Sequence, residues 1–512
     1  MKTLFVNPSL RPNAPHRYLP VGLGYVVSAA KRAGFNFDLL DVDIGGYSDE
    51  YVEKFLTENK YDVIALGAIV THYKWIKWFI NTAKKIQPEC KVIVGNSVGS
   101  SIPEVLFNTS GVDIIVLGEG DITIVETLNA IKDGKSLGEA NQPIVEIPHN
   151  NIGHPACVEG TGIEGIVFRD AKGNIVHNGR RKAVRIIDEI PTPDWDIFDI
   201  ESYIERSRGT AHSLPDISKE ETIVMPINTA RGCVFKCTFC HYVFWHDPYR
   251  HRSSESIIEE IKFHNKKYGA NYFNFWDELS FHKLGPTEKF LDSMIAEDLG
   301  VYWTAAIRSD LFGRPETPRE EKLRVAEKFI KAGNFAVGYS LESGNDEILK
   351  AMNKRVEAQY FANQSKLLKE VGVTQNTSLV VGYPQETPET IKETMDMCRN
   401  LHIYPSVGFL LPLPETGMWG YAVENGYIKH AGEFLDSITE RQDIILNMTK
   451  MTDEQMLSEV KTHLARINEE VNGVLDSDSL IRTGGYSRHN KHQDKKKIDN
   501  QSFNPATTTG SV

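Results

Sequence analysis

Cysteine is scarce in this chain. Six cysteines among 512 residues are too few for a disulfide scaffold and fit a reducing, cytoplasmic compartment. Long hydrophobic runs are missing as well. None reaches the roughly 18 residues that a membrane-spanning helix requires, and the opening Met1-Lys2-Thr3-Leu4-Phe5-Val6 reads as a strand rather than a signal peptide. Positive charge is in the minority. The 57 Lys and Arg against 69 Asp and Glu leave a formal net charge of −12, which argues against a broad nucleic-acid-binding surface, though a local basic groove is compatible with it. What is present is a globular composition, 41% hydrophobic and 25% charged, in a chain long enough for two or three domains with buried cores.

Three of the six cysteines fall within eight residues, in Ala230-Arg231-Gly232-Cys233-Val234-Phe235-Lys236-Cys237-Thr238-Phe239-Cys240-His241-Tyr242. This stretch reads as a loop leaving the apolar run Ile223 to Ile227. Three thiolates on a short, glycine-opened loop can each reach a different iron of one 4Fe-4S cube, which ordinarily takes four cysteines. Cys90, Cys157 and Cys398 each stand alone and far away, which leaves one iron open for a non-protein ligand. Zinc is the competing reading, but zinc sites usually bring four ligands in paired spacings, and neither His241 nor His246 sits at such a spacing.

Cys-x3-Cys-x2-Cys with an aromatic directly before the last cysteine resembles the signature of radical S-adenosylmethionine enzymes. The resemblance implies that Cys233, Cys237 and Cys240 hold a 4Fe-4S cluster whose open iron binds the amino and carboxylate groups of S-adenosylmethionine.

Residues 1–140 alternate strand-like runs (Leu4 to Val6, Phe37 to Leu40, Val63 to Leu66, Val92 to Val94, Ile114 to Leu117) with helical segments. That alternation predicts a doubly wound, Rossmann-like α/β domain with its ligand beyond the carboxyl ends of the strands. The glycines at those ends let a bulky ligand approach the backbone. Pro20-Val21-Gly22-Leu23-Gly24-Tyr25, the strand-end loops and the Val112 to Gly120 segment resemble the cobalamin-binding domain that precedes the radical domain in one branch of the superfamily. Cobalamin contacts implied by that resemblance are Asp41, Asp43, Gly46, Gly67, Gly95, Gly118, Glu119 and Gly120. One departure matters: where cobalt-coordinating domains have Asp-x-His-x-x-Gly, this chain has Asp43 at the histidine position, so a strong axial imidazole is absent. His72 or Tyr73 is a tempting substitute, and His72 is more simply a loop histidine.

Residues 141–215 read as a linker with a hairpin at Gly165 to His177 and a proline-punctuated, aromatic connector from Ile190 to Phe198. From 216 to 420 six strand and helix units predict a partial (β/α)6 barrel, with strands at Ile223 to Ile227, Tyr272 to Trp276, Tyr302 to Ala306, Ala336 to Ser340, Thr377 to Val381 and Val407 to Leu411. Its chemistry belongs at the carboxyl ends of the strands. The family resemblance assigns S-adenosylmethionine contacts there. Phe239 and Tyr242 would pack near the adenine, Asp277 and Glu278 match the position receiving the ammonium, and Arg308 could clamp a carboxylate by a bidentate pair. Glu342 and Ser343 resemble the ribose segment, and Gly382 and Pro384 would lie beside the adenine. Leu413-Pro414-Glu415-Thr416-Gly417 departs from the family's Pro-Gly-Thr-Pro loop. Residues 421–475 read as a small helical cap, and 476–512 as a disordered tail with a basic run.

The resemblance implies a cobalamin-dependent radical enzyme with three cofactors: 4Fe-4S cluster, S-adenosylmethionine and cobalamin. It would methylate an unactivated carbon through a 5′-deoxyadenosyl radical and methylcobalamin. Its substrate would be a small molecule or natural product, and its electrons would come from a reductant such as flavodoxin or ferredoxin. Ring closure, ring contraction or rearrangement is the alternative within the branch, since fold does not settle reaction. A methylthiotransferase is disfavoured because the first domain has only Cys90. A non-catalytic cobalamin or cluster sensor is the alternative of another class.

Overall fold

The computed structural model describes residues 1–14, 16–145, 157–208, 214–439, 442–471, 473, 475 and 480–481. Five runs rich in Val, Ile and Leu become the parallel strands β1 (Thr3–Asn7), β2 (Phe37–Asp41), β3 (Val63–Gly67), β4 (Lys91–Gly95) and β5 (Ile114–Val116), in the order β2-β1-β3-β4-β5. Helices Val21–Arg32, Asp49–Glu58, Tyr73–Ile86, Pro103–Thr109 and Thr123–Asp133 connect or flank them. β1, β3, β4 and β5 are largely buried on both faces, as a sheet covered by crossover helices requires, while the edge strand β2 exposes Asp38.

The same sheet continues through the segment expected to be a linker. β6 (Gly138–Val145), β7 (Cys157–Gly162), β8 (Ile166–Arg169) and β9 (Ile175–His177) extend it to nine strands, with β8 antiparallel to β5. The expected hairpin is β8 and β9. Its turn is fixed by Asp170, whose Oδ1 accepts from the Lys172 and Asn174 amides at 2.9 and 2.8 Å. The connector that follows is anchored by aromatics. Trp195 is 1% exposed and fits where Gly24 leaves room, since a Cβ there would lie 2.7 Å from the indole.

The second half begins with β10 (Val224–Ile227), then a short antiparallel pair, β11 (Ala230–Arg231) and β12 (Arg250–His251). β13 (Tyr272–Phe275), β14 (Tyr302–Ala306), β15 (Asn334–Gly338) and β16 (Thr374–Asn376) follow β10 in one parallel sheet. β17 (Ser378–Val381) and β18 (Ser406–Phe409) form a separate parallel pair. The expected fifth strand is thus broken at Thr377, whose hydroxyl accepts the Leu341 amide at 3.0 Å, and a bridge between Glu342 and Leu379 carries the arc across the break. Phe275, Phe281 and Trp303 pack edge and face against Phe290 and Phe329 of the flanking helices Leu284–Glu297 and Arg319–Lys331, with Phe275 and Trp303 stacked at 5.0 Å.

The helices after the barrel divide between the two halves. Gly417–Glu424 and Ala431–Ser437 place Trp419, Ala431 and Leu435 in the core of the first half, and Asp436 accepts from Lys77 Nζ at 2.7 Å. Asp453–Glu470 lays Met456, Val460, Leu464 and Ile467 on the barrel. The basic run Arg488 to Lys497 lies outside the described residues.

Candidate active site

The cysteine loop springs from the end of β10. The β11 and β12 ladder closes its base, and Gly232 (φ +85°) makes the turn into it. Cys233, Cys237 and Cys240 are free thiols, Cys237 buried and the other two half-buried. Burial raises all three thiols, Cys237 to about 11, and Cys240 is pushed up further by Cys237 and Cys233. Buried thiols that oppose one another's ionisation are ill-suited to bare protein and well-suited to a group that supplies positive charge at their centre, so the donor set fits a cluster. His241 is turned away from them. Its Nε2 lies 2.7 Å from Ser101 Oγ, burial lowers the ring to about 4, and His246 lies 3.5 Å from Glu415. Among the described residues, no three His, Cys, Asp or Glu side chains are arranged to hold a single metal ion.

The two neighbouring acids differ sharply. Asp277 is saturated: Oδ1 accepts from Asn228 Nδ2 and the Thr229 amide, both at 2.8 Å, and the Ala230 amide at 3.0 Å, while Oδ2 accepts from Thr229 and from Ser280 Oγ at 2.8 Å. It fastens the start of the cysteine loop to the end of β13. Glu278 instead keeps open surface in a recess enclosed by protein, and burial, with Asp277 beside it, raises its carboxyl to about 7. Of the pair, Glu278 is the one with a face to offer a ligand.

Arg308 is also committed. Its guanidinium pairs with Asp310 and lies 4.1 Å over the Phe235 ring. The cation directed at the thiols is Lys354, which the sequence reading missed; its Nζ lies 2.9 Å from Glu342 Oε1, and Glu342 and the Cys237 and Cys240 thiols hold its charge. Glu342 sits at φ +63°, a left-handed backbone that non-glycine residues avoid. Ser343 is buried, with its Oγ 3.3 Å from Thr394 Oγ1. Gly382 (φ +110°) and half-buried Pro384 bracket Tyr383, whose hydroxyl lies 2.9 Å from Thr238 Oγ1 and whose ring meets Phe239 edge-on at 6.3 Å. Tyr242 is buried against Trp245. Lys354→Gln leaves the Glu342 carboxylate unpaired at 5% exposure, so a loss of about 3 kcal/mol is expected in chemical denaturation, with Lys354→Arg recovering most of it.

The carboxyl edge of the first sheet abuts the cysteine loop. Glu119 and Asp121, after β5, face Arg231 and Arg250 from the loop's basal ladder. Arg231 is 3.2 Å from Glu119 and 2.8 Å from Asp121, it lies 4.8 Å over the Tyr25 ring, and Arg250 pairs with Glu119. Glu119 is therefore occupied in joining the two halves. Asp41 accepts from Asn7 Nδ2 and Tyr203 Oη, each at 2.8 Å, and Asp43 accepts from Ser9 Oγ at 2.7 Å and pairs with buried Arg17 at 3.2 Å. Both acids thus pin their loop, and Gly46 (φ +60°) ends the short helix Val42–Gly45 that Asp41 caps. A Cβ at Gly67 would approach the Gly95 backbone tightly, at 3.1 Å, whereas a Cβ at Gly95 meets nothing nearer than 3.9 Å. Gly118 (φ +66°) makes room for Arg180, and Gly120 for Val26. His72 spends Nε2 on the Leu10 carbonyl at 2.9 Å, and burial lowers it to about 4; Tyr73 is buried and donates to Thr109. Both are accounted for by the local fold.

Comparison with known proteins places these two halves. Residues 227–398 match the Radical SAM superfamily, and residues 10–128 match the B12 binding domain. The chain is similar to the anaerobic magnesium-protoporphyrin IX monomethyl ester cyclase of Rubrivivax gelatinosus, 27% identical over 78% of this chain and 66% of that protein. It is also similar to the cytidylyl-2-hydroxyethylphosphonate methyltransferase of Streptomyces wedmorensis, 21% identical over 93% of this chain and 90% of that one. Among solved structures, the cobalamin-dependent S-adenosylmethionine radical enzyme OxsB superposes with a TM-score of 0.61 at 18% identity, covering 83% of this chain and 55% of OxsB. The radical S-adenosylmethionine methyltransferase TsrM of Kitasatospora setae gives 0.59 at 18% identity, covering 83% and 76%. The chain thus spans just under two thirds of the cyclase and just over half of OxsB.

Proposed function

The chain belongs to the radical S-adenosylmethionine enzymes that carry a B12-binding domain, and from that premise we propose that it is a cobalamin-dependent radical methyltransferase acting on a small-molecule or natural-product substrate. The observation that carries the proposal is the meeting of the thiol triad with the carboxyl edge of the first sheet across the Arg231, Glu119 and Asp121 junction. Two cofactor sites held side by side are what methyl transfer between them requires.

When bound, the iron-sulfur cluster and S-adenosylmethionine supply reductive cleavage to a 5′-deoxyadenosyl radical, and cobalamin supplies a methyl carrier. The chain's own residues bind, orient and shield. Cys233, Cys237 and Cys240 hold the cluster, and Lys354 offsets the negative charge of their thiolates. Glu278 receives the cofactor's ammonium, while Asp277 acts one step back by fixing the loop that presents Gly232 and Cys233. Glu342 and Ser343 line the ribose, Gly382 and Pro384 border the adenine with Phe239, and Tyr242 closes the loop side. On the other half, Gly95 leaves the sheet edge open for a corrin, while Gly67, Gly118 and Gly120 let the Gly95 backbone, Arg180 and Val26 pack close around that edge. Asp41, Asp43 and Gly46 shape the loop beneath it. Electrons come from flavodoxin or ferredoxin.

The similarity to an anaerobic cyclase favours ring closure as the second reading. Anaerobic reconstitution with iron, sulfide and hydroxocobalamin, followed by turnover with methyl-labelled S-adenosylmethionine, separates the two. Label in a carbon-bound product methyl supports the proposal. 5′-Deoxyadenosine with no label in product replaces it by ring closure or rearrangement, and protein that takes up neither cluster nor cobalamin refutes both.

A further inference from the structure

The helix Asn96–Ser101, which leaves β4 at Gly95, is built largely from residues that form helices poorly: three serines, a glycine and an asparagine. Hydrogen bonds to its neighbours hold it instead. Ser97 Oγ accepts the Val70 amide at 3.0 Å, the Val98 amide donates to the Ala68 carbonyl at 3.0 Å, and Ser100 Oγ accepts the Gly118 amide at 2.9 Å. One short element thus gathers the loops that follow β3, β4 and β5. Its serines are at most 7% exposed. Gly99 lets it lie close on the sheet, since a Cβ there would meet the Val94 carbonyl oxygen at 3.0 Å and Ile115 at 3.1 Å.

The third serine reaches the other half. Ser101 Oγ lies 2.7 Å from the Ser97 carbonyl oxygen, which only accepts, so the hydroxyl donates there and accepts from His241 Nε2–H, also at 2.7 Å. His241 follows Cys240 directly and is 4% exposed. Its Nδ1 is buried with no hydrogen-bond partner among the described residues, so Ser101 alone holds the ring by a hydrogen bond. The Cys240 amide in turn donates to the Cys237 carbonyl at 3.2 Å, and two of the three thiols therefore ride on the turn that His241 ends. The cysteine loop is fastened to the first half before its first thiol, through Arg231, and after its last, through His241.

We propose that His241 and Ser101 are positioning residues that couple the two cofactor sites, so that a cluster on the thiols raises the affinity for cobalamin and cobalamin raises the affinity for the cluster. The inference rests on the reading that the thiols hold a cluster and the sheet edge a corrin, and it adds the element through which each site feels the other. Cobalamin against the loops gathered by Asn96–Ser101 fixes Ser101, which fixes the turn carrying Cys240. A cluster on Cys240 fixes the same bond from the opposite side. The coupling is favourable because the shared element is ordered only once, by whichever cofactor binds first, and it is equal in both directions.

The test is anaerobic equilibrium dialysis of hydroxocobalamin against the full-length protein, with the cluster reconstituted and with it removed by chelation. The readout is the ratio of the two dissociation constants. Wild type is expected to bind hydroxocobalamin about tenfold more tightly with the cluster present, and Ser101→Ala and His241→Phe less than about twofold more tightly. His241→Gln, whose amide N–H can reach the same hydroxyl, should recover most of the wild-type ratio. A bond that only stabilised the fold would weaken cobalamin equally in both states. An unchanged ratio in Ser101→Ala therefore overturns the proposal, as does equal affinity in the two states of wild type. Ser101→Ala removes a single hydroxyl and decides the matter if His241→Phe does not fold. Wild type that takes up no cluster or no cobalamin overturns the two-cofactor reading instead.

Discussion

Cys237→Ala is expected to lose the iron-sulfur cluster and with it 5′-deoxyadenosine formation, by at least about 100-fold. Removing a group that merely orients a metal ligand costs about 10- to 100-fold in metal affinity or activity, so removal of a ligand sets a floor at the upper end of that range. Cys237 is the most buried of the triad, and its thiol faces Lys354 and Glu342 as well as Cys233. Among the other cysteines with described side chains, Cys90 and Cys398 are buried elsewhere, in the cores of the two halves. Fold is expected to survive, because Cys237 contributes no side-chain hydrogen bond to the loop, whose ties run through Thr238, Lys236 and Arg231. Anaerobic iron and sulfide analysis, the optical spectrum and product quantification read this directly, with cobalamin uptake as the control for an intact first half.

The second large effect is expected at the junction. Arg231→Met removes the guanidinium that joins Asp121 and Glu119 to the cysteine loop, and all three side chains are at most 13% exposed. Leaving a buried carboxylate without its partner costs about 3–5 kcal/mol. Arg250 still faces Glu119, so the deficit belongs chiefly to Asp121. Arg231→Met should therefore lower the unfolding midpoint strongly, and adding Asp121→Asn should restore more than half of the loss, because a neutral amide in that place is far less costly than an orphaned charge. If the two substitutions simply add, the pair is not coupled and the junction is not held by charge. The same variants should weaken activity through both cofactors, since Arg231 immediately precedes Gly232 and Cys233 while Asp121 follows the loop that borders the corrin site.

How far the sequence foretold this molecule depends on distance along the chain. The strands of the first sheet were legible because each is a run such as Val63-Ile64-Ala65-Leu66 between helices with clear ends, and the thiol triad because three ligands lie in one loop. β6 and β7 were not legible. Gly138-Glu139-Ala140-Asn141-Gln142-Pro143 has neither an apolar run nor alternation, and only pairing with the rest of the sheet makes it a strand. The break at Thr377 was hidden because a hydroxyl capturing the Leu341 amide leaves no trace in a β-prone stretch. At the site, Asp277 and Glu278 are adjacent and chemically alike. Only the Thr229 and Ala230 amides, nearly 50 residues away, assign one to the scaffold and leave the other open. Lys354 follows a short helix with nothing to distinguish it from Lys350, and its inward course is set by the left-handed residues on either side. The Arg231, Glu119 and Asp121 contacts span more than 100 residues, beyond the reach of any local pattern.

The account stands on two cofactors held side by side, and the direct measurement is the EPR spectrum of Co(II) cobalamin in anaerobically loaded protein, before and after one-electron reduction of the cluster. The predicted result is dipolar broadening of the cobalt lines that appears on cluster reduction and is absent from Cys237→Ala carrying the same cobalamin. Cobalt lines that stay unchanged on reduction, in protein shown to hold both cofactors, would contradict it.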